Sequence, residues 1–166
     1  MRKELILMSE LDAFDLKILG LVQQDASRST AEIADLVGLS QAPCWRRLQR
    51  LKEAGYIRAQ VALLDRRKMG LNAQIFAQVK LSATGRSNLE DFTHAIRGFP
   101  EVLDCFVLMG TVDFMLRIVA RDIEAYERFF FDKLSRVPGI QEINSMVALS
   151  EIKSTTELPL IPTERA

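Results

Sequence analysis

The sequence predicts an α+β protein: a small three-helix domain followed by a larger domain of order βαββαβ. Two observations carry this expectation. Residues 11–54 contain three short apolar stripes at helical spacing, bounded by polar capping residues and glycines. Residues 73–152 run strand, helix, strand, and then repeat that order. A length of 166 residues accommodates two small domains, and 48% hydrophobic with 27% charged residues are the values of a folded globular chain.

The first helix is marked by Leu11, Phe14, Ile18, Leu21 and Val22, with Asp12 and Asp15 in a first turn that suits carboxylates. Gln23–Ser27 breaks it. A second helix starts near Ser29 or Thr30, where Glu32 follows Ser29 at the capping-box spacing. Ile33, Ala34 and Val37 form its stripe, and Gly38 ends it. Ser40 is placed to cap a third helix, which tolerates Pro43 in its first turn and stops at Gly55. On that third helix Cys44, Leu48 and Leu51 share one narrow stripe, predicted to be buried. Ala42, Arg46, Gln49 and Glu53 lie opposite, flanked by Trp45 and Arg50.

Tyr56–Leu64 is rich in strand formers and is expected to be a strand. Domain boundaries are expected at 1–64, with a linker at 65–72 and a second domain at 73–166. In the second domain, Ile75, Ala77, Val79 and Leu81 alternate with Gln74, Gln78 and Lys80, predicting a half-buried strand. Thr84–Ser87 reads as a turn. Leu89, Phe92, Ala95, Ile96 and Phe99 give a helix face ended by Gly98 and Pro100. Strands are expected at 102–109 and 114–120, around the turn Gly110-Thr111-Val112-Asp113. A helix carrying Ile123, Tyr126, Phe130, Leu134 and Val137 follows, then a long strand over 140–152 and a Pro-containing tail. The order is that of the ferredoxin-like sandwich, with helices on one face of an antiparallel sheet. Its other face leaves Phe106, Val107 or Met146 exposed, and a dimer stacking sheet on sheet would bury them.

Net charge is zero, but Arg46, Arg47, Arg50, Lys52, Arg58, Arg66, Arg67 and Lys68 face only Glu53 and Asp65 within 45–68. This is either an anion-binding surface or a solvated face. Arg suits guanine edges, Gln suits adenine, and Ala suits a thymine methyl. Two short helices joined by a Gly-containing turn, the second bearing this face, make the helix-turn-helix pattern of a DNA-binding protein. Two cysteines and one histidine build neither a disulfide framework nor a zinc site, and no cofactor is implied. GxSxG, P-loop, GxGxxG and HExxH patterns are missing, so an enzyme is not expected. No apolar run approaches the ~18 residues of a membrane span. Leu5–Met8 is too short for a signal-peptide core, so a cytoplasmic chain is expected.

Three stretches carry a resemblance: Leu11–Leu19, Val37–Leu48 with its Leu-Ser-Gln-Ala-Pro-Cys-Trp-Arg run, and Leu51-Lys52-Glu53-Ala54-Gly55-Tyr56-Ile57. With Gly110-x-x-Asp113 and the tail Lys153–Leu160, they closely resemble the Lrp/AsnC family of transcriptional regulators. The resemblance spans about residues 11–160. It implies a winged helix-turn-helix domain joined to an amino-acid-binding, oligomerising βαββαβ domain. The implied function is a sequence-specific transcriptional regulator of double-stranded DNA, whose assembly or DNA affinity responds to a small amino acid or related metabolite. The implied assembly is a homodimer or larger homo-oligomer such as an octamer, with no membrane partner. The alternative is a DNA-binding regulator or architectural protein whose second domain only oligomerises. The DNA-contact candidates are Thr30, Ser40, Gln41, Ala42, Trp45, Arg46, Arg47, Gln49, Arg50 and Arg67. The effector candidates are Met109, Gly110, Thr111, Val112 and Asp113. Gly110 permits close backbone approach, and Asp113 is expected either to pair an α-ammonium group or simply to cap the turn.

Overall fold

The computed structural model describes residues 11–160. Met1–Glu10, including Leu5–Met8, lie outside the described residues. Among the described residues no helix is long and apolar enough to cross a membrane. The chain forms two compact units. Leu63–Ile152 make the second, whereas the described residues 11–62 and 153–160 make the first.

Three helices build the first unit: α1 (Ala13–Gln24), α2 (Thr30–Val37) and α3 (Gln41–Glu53). The Asp12 carboxylate takes the N–H groups of Phe14 and Asp15, each at 2.9 Å, and Asp15 returns the bond to Asp12 N at 3.1 Å. Ser29 and Glu32 form the expected capping box on α2. Gly38 closes α2 with φ 75°, a left-handed geometry that a side chain would strain. Ser40 has N-cap backbone geometry before α3, but its side chain makes no cap hydrogen bond. Ile18, Val22, Ile33, Ala34, Val37, Cys44, Leu48 and Leu51 form one core, so the predicted stripe of α3 is the buried one.

Residues 56–64 form no strand, contrary to the sequence expectation. Strand propensity gives a ladder only where another strand supplies partners. Among the described residues, 57–64 make no backbone hydrogen bond, and Val61, Leu63 and Leu64 are more than 70% exposed.

By contacts, the tail residues 153–160 group with the first unit. The Gln23 carboxamide donates to Leu158 O at 3.0 Å and accepts from Leu158 N at 2.9 Å, as a paired strand would.

The second unit is built from β1 (Ala73–Leu81), α4 (Ala83–Ser87), α5 (Leu89–Arg97), β2 (Val102–Val107), β3 (Phe114–Ala120), α6 (Ile123–Asp132), a 3₁₀ turn at Leu134–Arg136, and β4 (Ile140–Val147). The sheet order is β2-β3-β1-β4, and every neighbouring pair is antiparallel. Thr84–Ser87 is not a bare turn: the Ser82 hydroxyl accepts from Gly85 N at 3.1 Å and caps the one-turn α4. β2 and β4 are shorter than expected, ending at Val107 and Val147.

Helices cover one sheet face. Ile75, Val79, Leu81, Leu116 and Ile118 pack there against Phe92, Ile96, Tyr126, Phe129 and Leu134. The Phe92 and Phe114 rings lie 4.4 Å apart. Cross-strand partners share a face. Phe106 opposite Met115 and Phe76 opposite Met146 therefore line the uncovered face. Phe106 is 56% exposed and Met146 41%. Val107, opposite the core residue Phe114, belongs to the other face although it too is exposed.

Candidate functional site

The outward face of α3 holds Gln41, Ala42, Trp45 and Arg46, all exposed, with Gln49 half-buried beside them. Trp45 keeps half its surface in solvent. Ser40 is exposed at the helix start, and Thr30 is half-buried at the start of α2. Arg46 makes no hydrogen bond or ion pair among the described residues, so its guanidinium is available to a ligand. The six side chains from Ser40 to Gln49 thus come together on one surface, with donors fit for base edges.

Arg47 and Arg50 turn the other way. One Arg47 Nη1 donates to the Asp12 carboxylate at 2.6 Å and to that of Asp15 at 2.9 Å. Arg50 also donates to Asp15, whose side chain is fully buried. The Arg47 guanidinium lies 5.5 Å over the Phe14 ring. Asp15 is more than the dipole-favoured carboxylate of the sequence reading, since it clamps α1 to α3. Beneath this clamp Cys44 is fully buried, and burial pushes its thiol up.

Arg67 lies in the second unit, exposed in a turn where the Asp65 carboxylate accepts its backbone N–H at 2.9 Å. The neighbouring Arg66 is occupied, donating to Leu71 O at 2.8 Å and Asn72 O at 3.2 Å.

The 109–113 turn joins β2 to β3. Met109, Gly110 and Thr111 are exposed, and Val112 and Asp113 half-buried. Leu108 N donates to Asp113 O, and Asp113 N donates to Val79 O, both at 2.9 Å. The Asp113 carboxylate accepts from Leu81 N at 2.7 Å and from Arg86 Nε and Nη2 at 3.0 and 3.3 Å. The Arg86 guanidinium, then the Leu81 N–H, hold that carboxyl below the usual range. Arg86 was missed by sequence reasoning. It sat in a presumed turn, 27 residues from Asp113, with only its charge as a signal.

A helix-turn-helix with a free Arg/Gln/Trp face, on a chain that also carries a βαββαβ unit, defines a two-domain DNA-binding regulator. Residues 11–58 match the family model for winged helix-turn-helix DNA-binding domains. Residues 74–158 match the model for the Lrp/AsnC ligand binding domain. The chain belongs to the Lrp/AsnC family of transcriptional regulators. It is 38% identical over 146 residues to the proline dehydrogenase transcriptional activator of Rhizobium radiobacter, covering 88% of this chain and 94% of that protein. It is 37% identical over 153 residues to the Bkd operon transcriptional regulator of Pseudomonas aeruginosa, covering 92% and 100%. A transcriptional regulator of Neisseria meningitidis, crystallised with L-methionine, superposes with a TM-score of 0.87 at 39% identity, covering 90% of this chain and 97% of that one.

Proposed function

We propose that this regulator responds to a free amino acid bound beside the 109–113 turn, and reads DNA through α3 as a homodimer or larger homo-oligomer in the cytoplasm. The observation that carries the effector half is the Arg86–Asp113 pair next to Gly110. A free amino acid carries an ammonium and a carboxylate about one carbon apart. Inserted at this pair, its ammonium replaces Arg86 on Asp113. Its carboxylate meets Arg86 and the turn N–H groups. Met109 and Val112 offer only apolar surface to its side chain. The Neisseria meningitidis relative crystallised with L-methionine supports an amino acid as the ligand.

For DNA, the proposed contacts are Thr30, Ser40, Gln41, Ala42, Trp45, Arg46 and Gln49, with Arg67 on phosphate. Two copies of α3 then meet half-sites about one helical turn apart. The uncovered sheet face, with Phe76, Phe106, Met115 and Met146 on it, supports assembly through stacked sheets.

A second reading is favoured by one observation: Asp113 already accepts three hydrogen bonds, as a purely structural turn residue would. On that reading the second domain only oligomerises. Calorimetric titration with the twenty amino acids separates the two. Binding by the wild type that is lost in Asp113→Asn and Arg86→Gln supports the effector site. Unaltered binding in both variants places the pocket elsewhere, and no binding by the wild type favours oligomerisation alone.

A further inference from the structure

We propose that Asp15 is a positioning residue for DNA reading, which keeps Arg47 and Arg50 off the phosphates and sets which face of α3 meets the bases. The inference rests on α3 being the DNA-contacting helix. Its basis is the split among three arginines on one helix. Arg46 has no partner among the described residues, whereas Arg47 and Arg50, one turn apart, converge on one carboxylate. That carboxylate has no exposed surface.

Burying a carboxylate is costly, and an apolar side chain of similar volume packs two helices at least as well. What the carboxylate adds is direction. Its two oxygens take Asp12 N, Arg47 and Arg50 together, which leaves one rotation of α3 about its axis. Apolar contacts alone tolerate a shift of that rotation. A shift would carry Ala42, Trp45 and Arg46 off the bases. The clamp also changes the electrostatics. Arg50 is one turn from Arg46, and its side chain is 54% exposed. Released, it would reach backbone phosphates whatever the sequence. Held, it leaves base contacts a larger share of the affinity.

The test is the salt dependence of affinity for a duplex of fixed arbitrary sequence, combined with selection from a randomised duplex pool. Each phosphate contact steepens the slope of log K against log salt by about 0.9. Arg46→Gln should flatten the slope or blur one selected position. Arg50→Gln should leave the slope unchanged while broadening the selected sequences. Asp15→Asn should steepen the slope by about one contact and broaden the selection. The proposal is overturned if Arg50→Gln flattens the slope by one contact, or if Asp15→Asn keeps both the wild-type slope and preference. Should Asp15→Asn fail to fold, Arg50→Gln decides alone, since Arg47 still holds Asp15 in that variant. A wild type without salt-dependent binding removes the DNA reading of α3 and this proposal together. A wild type that binds normally, while Arg50→Gln flattens the slope or Asp15→Asn keeps the wild-type slope and preference, removes only this one.

Discussion

Gly85 and Gly139 meet backbone to backbone: a Cβ on Gly139 would lie 2.6 Å from the Gly85 Cα, and one on Gly85 2.3 Å from Gly139 O. The same Gly139 O accepts Ser82 N at 2.9 Å, so the contact ties the start of α4 to the start of β4. No flexible side chain is present to give way. Gly85→Ala is expected to destabilise the second unit by about 1–3 kcal/mol, the range of overpacking changes. Thermal unfolding followed by amide exchange should show the loss in residues 63–152, with α1–α3 unchanged. Because Arg86 follows Gly85, the variant should also weaken any amino-acid response.

Acid should act through Asp113. Its carboxyl titrates below the ordinary 3.8, chiefly because of Arg86 and then Leu81 N–H. A carboxyl whose folded pKa is depressed contributes stability that is present above the unfolded pKa and lost as pH falls through the folded one. Unfolding midpoints should therefore drop below about pH 4. Asp113→Asn should remove about 1–2 kcal/mol at neutral pH, the low side of the range for charged hydrogen bonds because Arg86 is half in solvent. In the variant the acid-dependent fall should be shallower, and a fall identical to wild type would show that other carboxylates carry it.

The uncovered sheet face predicts assembly. Phe106 and Met146 stand on the same face as Met115 and Phe76. Phe106→Asp places a charge on the uncovered face, on the edge strand β2, without touching the helix-side core. Sedimentation should show wild type as a dimer or larger, and the variant shifted towards monomer. A wild type that sediments as a monomer at micromolar concentration would end the stacked-sheet proposal.

Cys44 should be inert in the folded protein. It has no exposed surface, and burial raises its thiol. In a Cys105→Ser background, alkylation should wait for opening of the first unit and follow its unfolding rate. Fast labelling under native conditions would contradict the buried stripe of α3.

Local signals were legible and long-range ones were not. The Ser29–Glu32 box, Gly38 and the Cys44-Leu48-Leu51 stripe depend on neighbours within one or two turns, and each is where the pattern puts it. Asp15–Arg47 and Arg86–Asp113 span 32 and 27 residues, and no periodicity encodes them. So the charges of α3 looked uniformly available, and Asp113 looked open to a ligand. The run 56–64 misled for a related reason: strand-forming residues describe what suits a strand, but nothing in them supplies the neighbour. The docking of the tail on α1 was hidden likewise, because the Gln23 side chain reads the Leu158 main chain, which leaves no side-chain signature.

That last contact has a consequence for the order in which the protein is made. The first unit is discontinuous: α1–α3 leave the ribosome before residues 63–152, and the segment at Leu158 that docks on Gln23 leaves after them. Domains ordinarily fold from the N-terminus as they emerge. Here the Gln23–Leu158 contact of the first unit can form only after residues 63–152 have been translated. A chain cut short by premature termination or a tail-clipping protease therefore carries an α1 without its last partner. Formation of the Gln23–Leu158 contact thus reports that the whole of the second unit has been made.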